Sequence, residues 1–140
     1  MIRSTLFAVT LVAAIVTAAA AEQEKFTVAT LPPVVVKTEP QAGDINVDPG
    51  ITEIRVTYSK RIQDGSWSWG QISDDTMPET TGKPKYLPDG KTCVLPVKLE
   101  PGRTYVLQLS SLTGKFANFK DRQGLPAVPY LLVFQTARAK

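Results

Sequence analysis

The stretch that decides the fold is Thr92-Cys93-Val94-Leu95-Pro96-Val97-Lys98-Leu99-Glu100-Pro101-Gly102-Arg103-Thr104-Tyr105-Val106-Leu107-Gln108-Leu109-Ser110. Its first half sets Cys93, Leu95, Val97 and Leu99 on one face and Lys98 on the other. Its second half sets Tyr105, Leu107 and Leu109 against Thr104, Val106 and Gln108. Side chains of an extended chain point alternately to opposite sides, so this period of two reads as two strands with one dry face each. Pro101-Gly102 turns the chain between them, proline presetting φ and glycine accepting a positive one.

Working outward, the same pattern recurs. Upstream, Thr52, Ile54, Val56 and Tyr58 alternate with Glu53, Arg55 and Thr57 over Ile51 to Ser59, entered through Asp48-Pro49-Gly50. Shorter runs lie at Val34–Thr38, at Trp67–Ile72 after Asp64-Gly65, and at Lys83–Leu87, where Pro84 marks an edge strand. Ser73 to Gly82 reads as a polar connection, and the last run is Tyr130–Thr136. No segment after residue 33 carries a 3.6-residue apolar period, and 11 prolines with 9 glycines suit frequent turns. Seven short alternating runs between Val34 and Ala137, a span of 104 residues, predict an all-β, antiparallel Ig-like sandwich of about seven strands.

The sandwich is preceded by a different kind of chain. One cation, Arg3, is followed by 18 uncharged residues from Ser4 to Ala21 that end in Ala18-Ala19-Ala20-Ala21. A basic start, an apolar centre and small residues at the −3 and −1 positions predict a signal peptide over 1–21, cut before Glu22. Retention as an anchor is the alternative. Residues 22–33, ending in Leu31-Pro32-Pro33, read as an extended linker, and 34–137 as the domain. Without the leader no membrane span is expected. The mature chain carries a surplus of only +2, too small and too scattered for a nucleic-acid surface.

The absences decide as much. With no histidine there is no Ser-His-Asp or Cys-His catalysis and no His-based metal site. A single cysteine, Cys93, forms no internal disulfide, and its apolar strand face makes it a small buried hydrophobe. No cofactor is implied, and no enzyme is expected.

At Leu99-Glu100-Pro101-Gly102-Arg103-Thr104-Tyr105 the sequence resembles the tyrosine corner of fibronectin-III and Ig-like domains. The wider chain resembles the bacterial Ig-like domains named after S-layer protein SbsA. The resemblance rests on Thr38-Glu39-Pro40-Gln41-Ala42-Gly43, Asn46-Val47-Asp48-Pro49, Ile54 to Lys60, Tyr86 to Gly90, the corner, Lys120 to Pro126 and the closing Leu132-Val133-Phe134-Gln135-Thr136. It implies an accessory module of an exported or cell-surface protein, usually without catalysis. The opening is also similar to the periplasmic copper-resistance domain. That domain's copper chemistry relies on histidine, so its site does not carry over.

Three groups are candidate contacts. Trp67 and Trp69, two apart, share a strand face. They serve either as a stacking platform for sugar rings or as core, and small polar Ser66, Ser68 and Gly70 opposite favour core. Lys115, Phe116, Phe119, Lys120 and Arg122 interleave aromatics with cations in the long connection Ser111 to Pro129. They are read as a contact loop or as phenylalanines closing the core with cations in water. Asp74-Asp75 lacks calcium-loop spacing and reads as a solvated loop. The expected function is a non-catalytic exported Ig-like module with a structural or protein-interaction role at the cell envelope, in the periplasm or outside the cell. The alternative is a carbohydrate-binding module using surface aromatics; the expected partner is an envelope protein or a polysaccharide. A small hydrolase would need two carboxylates converging in a pocket.

Overall fold

A computed structural model describes residues 25–140 except 112 and 114; the expected leader, 1–21, lies outside the described residues. Eight strands follow in chain order: β1 (Val35–Glu39), β2 (Glu53–Tyr58), β3 (Trp69–Gln71), β4 (Glu79–Thr80), β5 (Lys85–Tyr86), β6 (Thr92–Lys98), β7 (Thr104–Leu109) and β8 (Tyr130–Gln135). They form two antiparallel sheets. One runs β1-β2-β6 with β4 and β5 beyond β6, and the other runs β3-β7-β8. That is the seven-stranded Ig arrangement, four strands facing three, with the fourth strand of the larger sheet broken in two.

The break accounts for the difference between seven expected strands and eight observed. Glu79 and Thr80 pair with Lys98 and Val97, and Lys85 and Tyr86 with Val94 and Cys93, so β4 and β5 lie along one edge of β6. Between them Pro96 of β6 turns its carbonyl toward that edge, accepting from the Thr81 amide at 3.0 Å. A proline offers no ladder donor on that side. The edge strand separates where the donor is missing. The polar reading of Ser73–Gly82 therefore missed β4, two exposed residues without an apolar partner.

Alternation predicts the core. Ile54, Val56 and Tyr58 of β2 and Tyr105, Leu107 and Leu109 of β7 are buried, as are Leu132 and Phe134 of β8. In register, Tyr105 opposes Phe134 and Leu107 opposes Leu132, which fills one cluster with Ile54, Leu95 and Val97. A second cluster gathers Val56, Tyr58, Ile62, Cys93, Leu109 and Phe119, and Trp69 and Tyr130 pack against both. Strand β6 departs from simple alternation. Val94 and Thr92 on its outer side are buried as well, because the strand is central, with β2 on one side and β5 on the other.

One end of the sandwich is closed by the corner. The Tyr105 hydroxyl accepts from the Glu100 amide at 2.8 Å, and the Tyr105 ring lies 5.5 Å from that of Phe134. Thr136 locks the same turn, its hydroxyl donating to the Glu100 carbonyl at 2.6 Å and accepting from the Arg103 amide at 3.0 Å. Gly102 sits in this turn at φ +66°, a conformation that costs glycine nothing.

Candidate functional site

The other end of the sandwich carries the candidate residues. After β2 the chain runs from Ser59 to Ser68 alongside the connection that joins β7 to β8, and the two are stitched together. The Gln63 amide donates to the Lys120 carbonyl at 2.8 Å, and Ile62 bridges Asp121. The Ser68 hydroxyl donates to the Phe116 carbonyl at 2.7 Å, and Ser66 Oγ bonds the Asn118 carbonyl and accepts from the Lys120 amide. The serines read as a small polar face thus hold the long connection in place. Tyr86 adds a bond from its hydroxyl to the Ser66 carbonyl.

This stitching sets Phe116, 61% exposed, over β3 and creates a groove of about 460 Å³. It is lined by Trp67, Ser68, Trp69, Gly70, Gln71, Gln108, Ser111 and Phe116. Gly70 faces Gln108 across the ladder, where an added Cβ would come within 3.3 Å of the Gln108 carbonyl oxygen, so the floor stays low only with glycine there. Both tryptophans are half-buried, each packing partly on the core while bordering this groove. The expectation of a wholly inward pair holds only in part.

The seven candidate residues divide. Phe119 is fully buried, 5.0 Å from the Tyr58 ring and 5.9 Å from that of Trp69, and it is corrected from contact surface to core. Lys115 is exposed beside Phe116, and Lys120 is half-buried within the stitched backbone. Arg122 faces a second groove, of about 440 Å³, with Val28, Ala29, Ser59, Lys60, Arg61, Lys91 and Gln123. The connection read as one contact loop serves two separate grooves and the core.

Sequence reading missed the ion pair beside that second groove. Asp121, buried, accepts through Oδ1 from the Gln123 and Leu125 amides, both at 2.9 Å, as a turn-organising aspartate should. Its other oxygen meets the Lys60 ammonium at 2.7 Å. Burial works against the charged carboxyl, but Lys60 and the two amides outweigh it and hold its pKa below the usual carboxylate range. Lys60 also donates to the Ala29 and Leu31 carbonyls at 2.9 Å each. The only sequence signal was a lysine beside a strand end, which says nothing about a distant aspartate.

The thiol of Cys93 is buried. Desolvation pushes Cys93 up to about 11, and nearby Trp69 and Tyr86 counter this only in part, so it stays protonated at neutral pH.

The profile of the bacterial Ig-like domain family matches residues 29–136. The chain belongs to that family. Two solved structures resemble this bacterial Ig-like domain: the crystal structure of the S-layer protein rSbsC(31-844) and the structure of surface layer protein SbsC, domains 1-6. Each is 18% identical with a TM-score of 0.50, and each match covers 80% of this chain and 14% of the other. At that identity the likeness is one of fold. No curated protein matches the sequence. Family and architecture agree with the motif order read from Thr38 to Thr136. Among the described residues no helix of this Ig-like domain is long and apolar enough to cross a membrane.

Proposed function

We propose that this bacterial Ig-like domain is a non-catalytic module exported to the cell envelope, with a structural or protein-interaction role. The observation that carries the proposal is the family match over residues 29–136, nearly the whole chain beyond the leader-like segment. The resemblance to two structures of the S-layer protein SbsC supports a surface setting, and the apolar run ending in Ala18 to Ala21 supports export. The chemistry of the site agrees: the groove at Trp67 and Phe116 is lined by aromatic, amide, hydroxyl and glycine residues that do not titrate near neutrality. Fractionation of cells expressing the full sequence, followed by intact-mass measurement, tests this. A chain beginning near Glu22 outside the cytoplasm is expected; a full-length chain in the cytosol refutes it.

A second reading, carbohydrate binding, is favoured by one feature. The groove joins Trp67, Trp69 and Phe116 to the amides of Gln71 and Gln108, pairing rings that stack on sugars with groups that bond hydroxyls. Titration with neutral cell-wall and plant oligosaccharides, read by tryptophan fluorescence, decides it. A saturable change lost in Phe116→Ala supports this reading, and an unchanged spectrum removes it.

A further inference from the structure

The second groove has a composition the proposed function does not use. Arg61, Lys91 and Arg122 are exposed around it, and among the described residues none of the three pairs with a carboxylate. The carboxylate beside them, Asp121, is already neutralised by Lys60 at 2.7 Å. Asp89 accepts from the Lys91 and Thr92 amides and the Thr92 hydroxyl, at 2.9, 2.9 and 2.7 Å, so its oxygens are committed to its own turn. Gly90 belongs to the same arrangement. A Cβ there would lie 2.7 Å from Arg61 Nε, so the guanidinium lies directly against this turn. Three cations that form no salt bridge among the described residues therefore border one opening, with Asp89 acting on Lys91 only at longer range.

The opposite wall is apolar and also exposed. Thr27 and Thr30 cap a tight turn in the segment before β1, each amide donating to the other hydroxyl, at 2.9 and 3.1 Å. Lys60, with its side chain only 13% exposed, anchors that turn through the Ala29 and Leu31 carbonyls. The turn thus fixed presents Phe26 (77% exposed), Val28 (66%) and Leu31 (43%) to solvent, and Val28 lines the groove itself. A mostly buried lysine is used to hold large apolar side chains in water beside three unpaired cations. Apolar side chains next to clustered cations are what a peripheral contact with an anionic bilayer requires, the first entering the acyl boundary and the second meeting phosphates.

We propose that this corner of the domain docks on an anionic phospholipid surface. Arg61, Lys91 and Arg122 surround headgroup phosphates, and Phe26, Val28 and Leu31 enter the interfacial layer. A soluble polyanion would satisfy the cations and leave the apolar wall in water, which is why the bilayer is favoured.

The test is co-sedimentation of the chain from Glu22, which contains every strand of the fold, with vesicles of phosphatidylcholine alone or with added phosphatidylglycerol. Binding to the anionic vesicles only, weakening as salt rises, is expected. Arg61→Gln/Lys91→Gln/Arg122→Gln is expected to lose about a hundredfold in partitioning, from roughly fivefold per charge. Phe26→Ser/Val28→Ser, which keeps every cation, is expected to lose at least tenfold, since two apolar side chains no longer enter the boundary. Thermal unfolding of both variants confirms that they fold. Equal binding to neutral vesicles, an unaffected triple variant or an unaffected Phe26/Val28 variant each overturns the proposal. So does binding to soluble polyphosphate without binding to vesicles.

Discussion

Tyr105→Phe tests whether the corner fixes the sandwich. The substitution keeps the buried ring and its 5.5 Å contact with Phe134, and removes only the hydroxyl that accepts from the Glu100 amide at 2.8 Å. Tyr105 is 1% exposed, so water does not replace the lost acceptor from the ring side. A net hydrogen bond contributes about 1 kcal/mol, and an orphaned donor raises the loss to about 1.5 kcal/mol. With a urea slope of about 1.5 kcal/mol/M for a domain of this size, the unfolding midpoint should fall by roughly 1 M with the slope unchanged. Tyr105→Ala also removes the ring and should cost about 3–5 kcal/mol, a large share of a typical domain's stability. Thr136→Val offers an internal control. Its hydroxyl bonds the same turn through Glu100 and Arg103, so the double variant should deviate from additivity. A Tyr105→Phe midpoint equal to that of the unmodified domain, or strict additivity with Thr136→Val, refutes the claim that these two side chains hold one unit.

Lys60→Met should destabilise by about 3 kcal/mol at neutral pH by leaving Asp121 buried without a counter-ion, read by urea unfolding. The sign of the pH dependence should reverse. In the intact domain Asp121 titrates below its unfolded value near 3.9, so its stabilisation is present above that pH and lost as pH falls through the folded value. In Lys60→Met its pKa rises, and acidification from pH 6 to 4 should raise stability. Cys93, raised to about 11 by burial, should resist a thiol reagent at pH 8 in the native domain and react at the rate of unfolding in urea. Fast native labelling would contradict that burial. Ser110 is fully buried at φ 61° with its hydroxyl unpaired, so Ser110→Gly should stabilise by about 1 kcal/mol in the same assay.

The strands that bury one face were legible because burial imposes a period of two. Ile54, Val56, Leu107 and Phe134 are buried as the alternation requires. The corner was legible through the resemblance of Leu99 to Tyr105 to the tyrosine corner of Ig-like domains, and the Tyr105 hydroxyl does accept from the Glu100 amide. Elsewhere no periodic constraint acts on the sequence. Glu79 and Thr80 pair through backbone alone and expose both side chains, so nothing in their chemistry marks a strand. Phe116 and Phe119 stand three apart in a connection without a repeat. One is 61% exposed and the other fully buried, and only the path set by Ser66 and Ser68 separates them. Lys60 and Asp121 meet because two connections cross, which no local pattern encodes.

The two ends of the sandwich differ in kind, and that difference supports placing the proposed contacts at one of them. Register places Tyr58 opposite Val35, Thr57 opposite Thr92, and Leu109 opposite both Trp69 and Tyr130, so these strand termini gather at one end. The connections at that end are the ones that form both grooves, and the chain enters the domain there. The far end holds the corner, where Glu100, Arg103, Tyr105 and Thr136 satisfy one another. The polar groups of the corner itself are committed to one another and leave little for a ligand at that turn. An end that leaves Arg61, Lys91, Arg122, Phe26 and Phe116 turned to solvent keeps both charge and apolar surface available. Substitutions at the corner should therefore change stability and leave binding unaltered, whereas substitutions of those exposed side chains should change binding and leave stability unaltered.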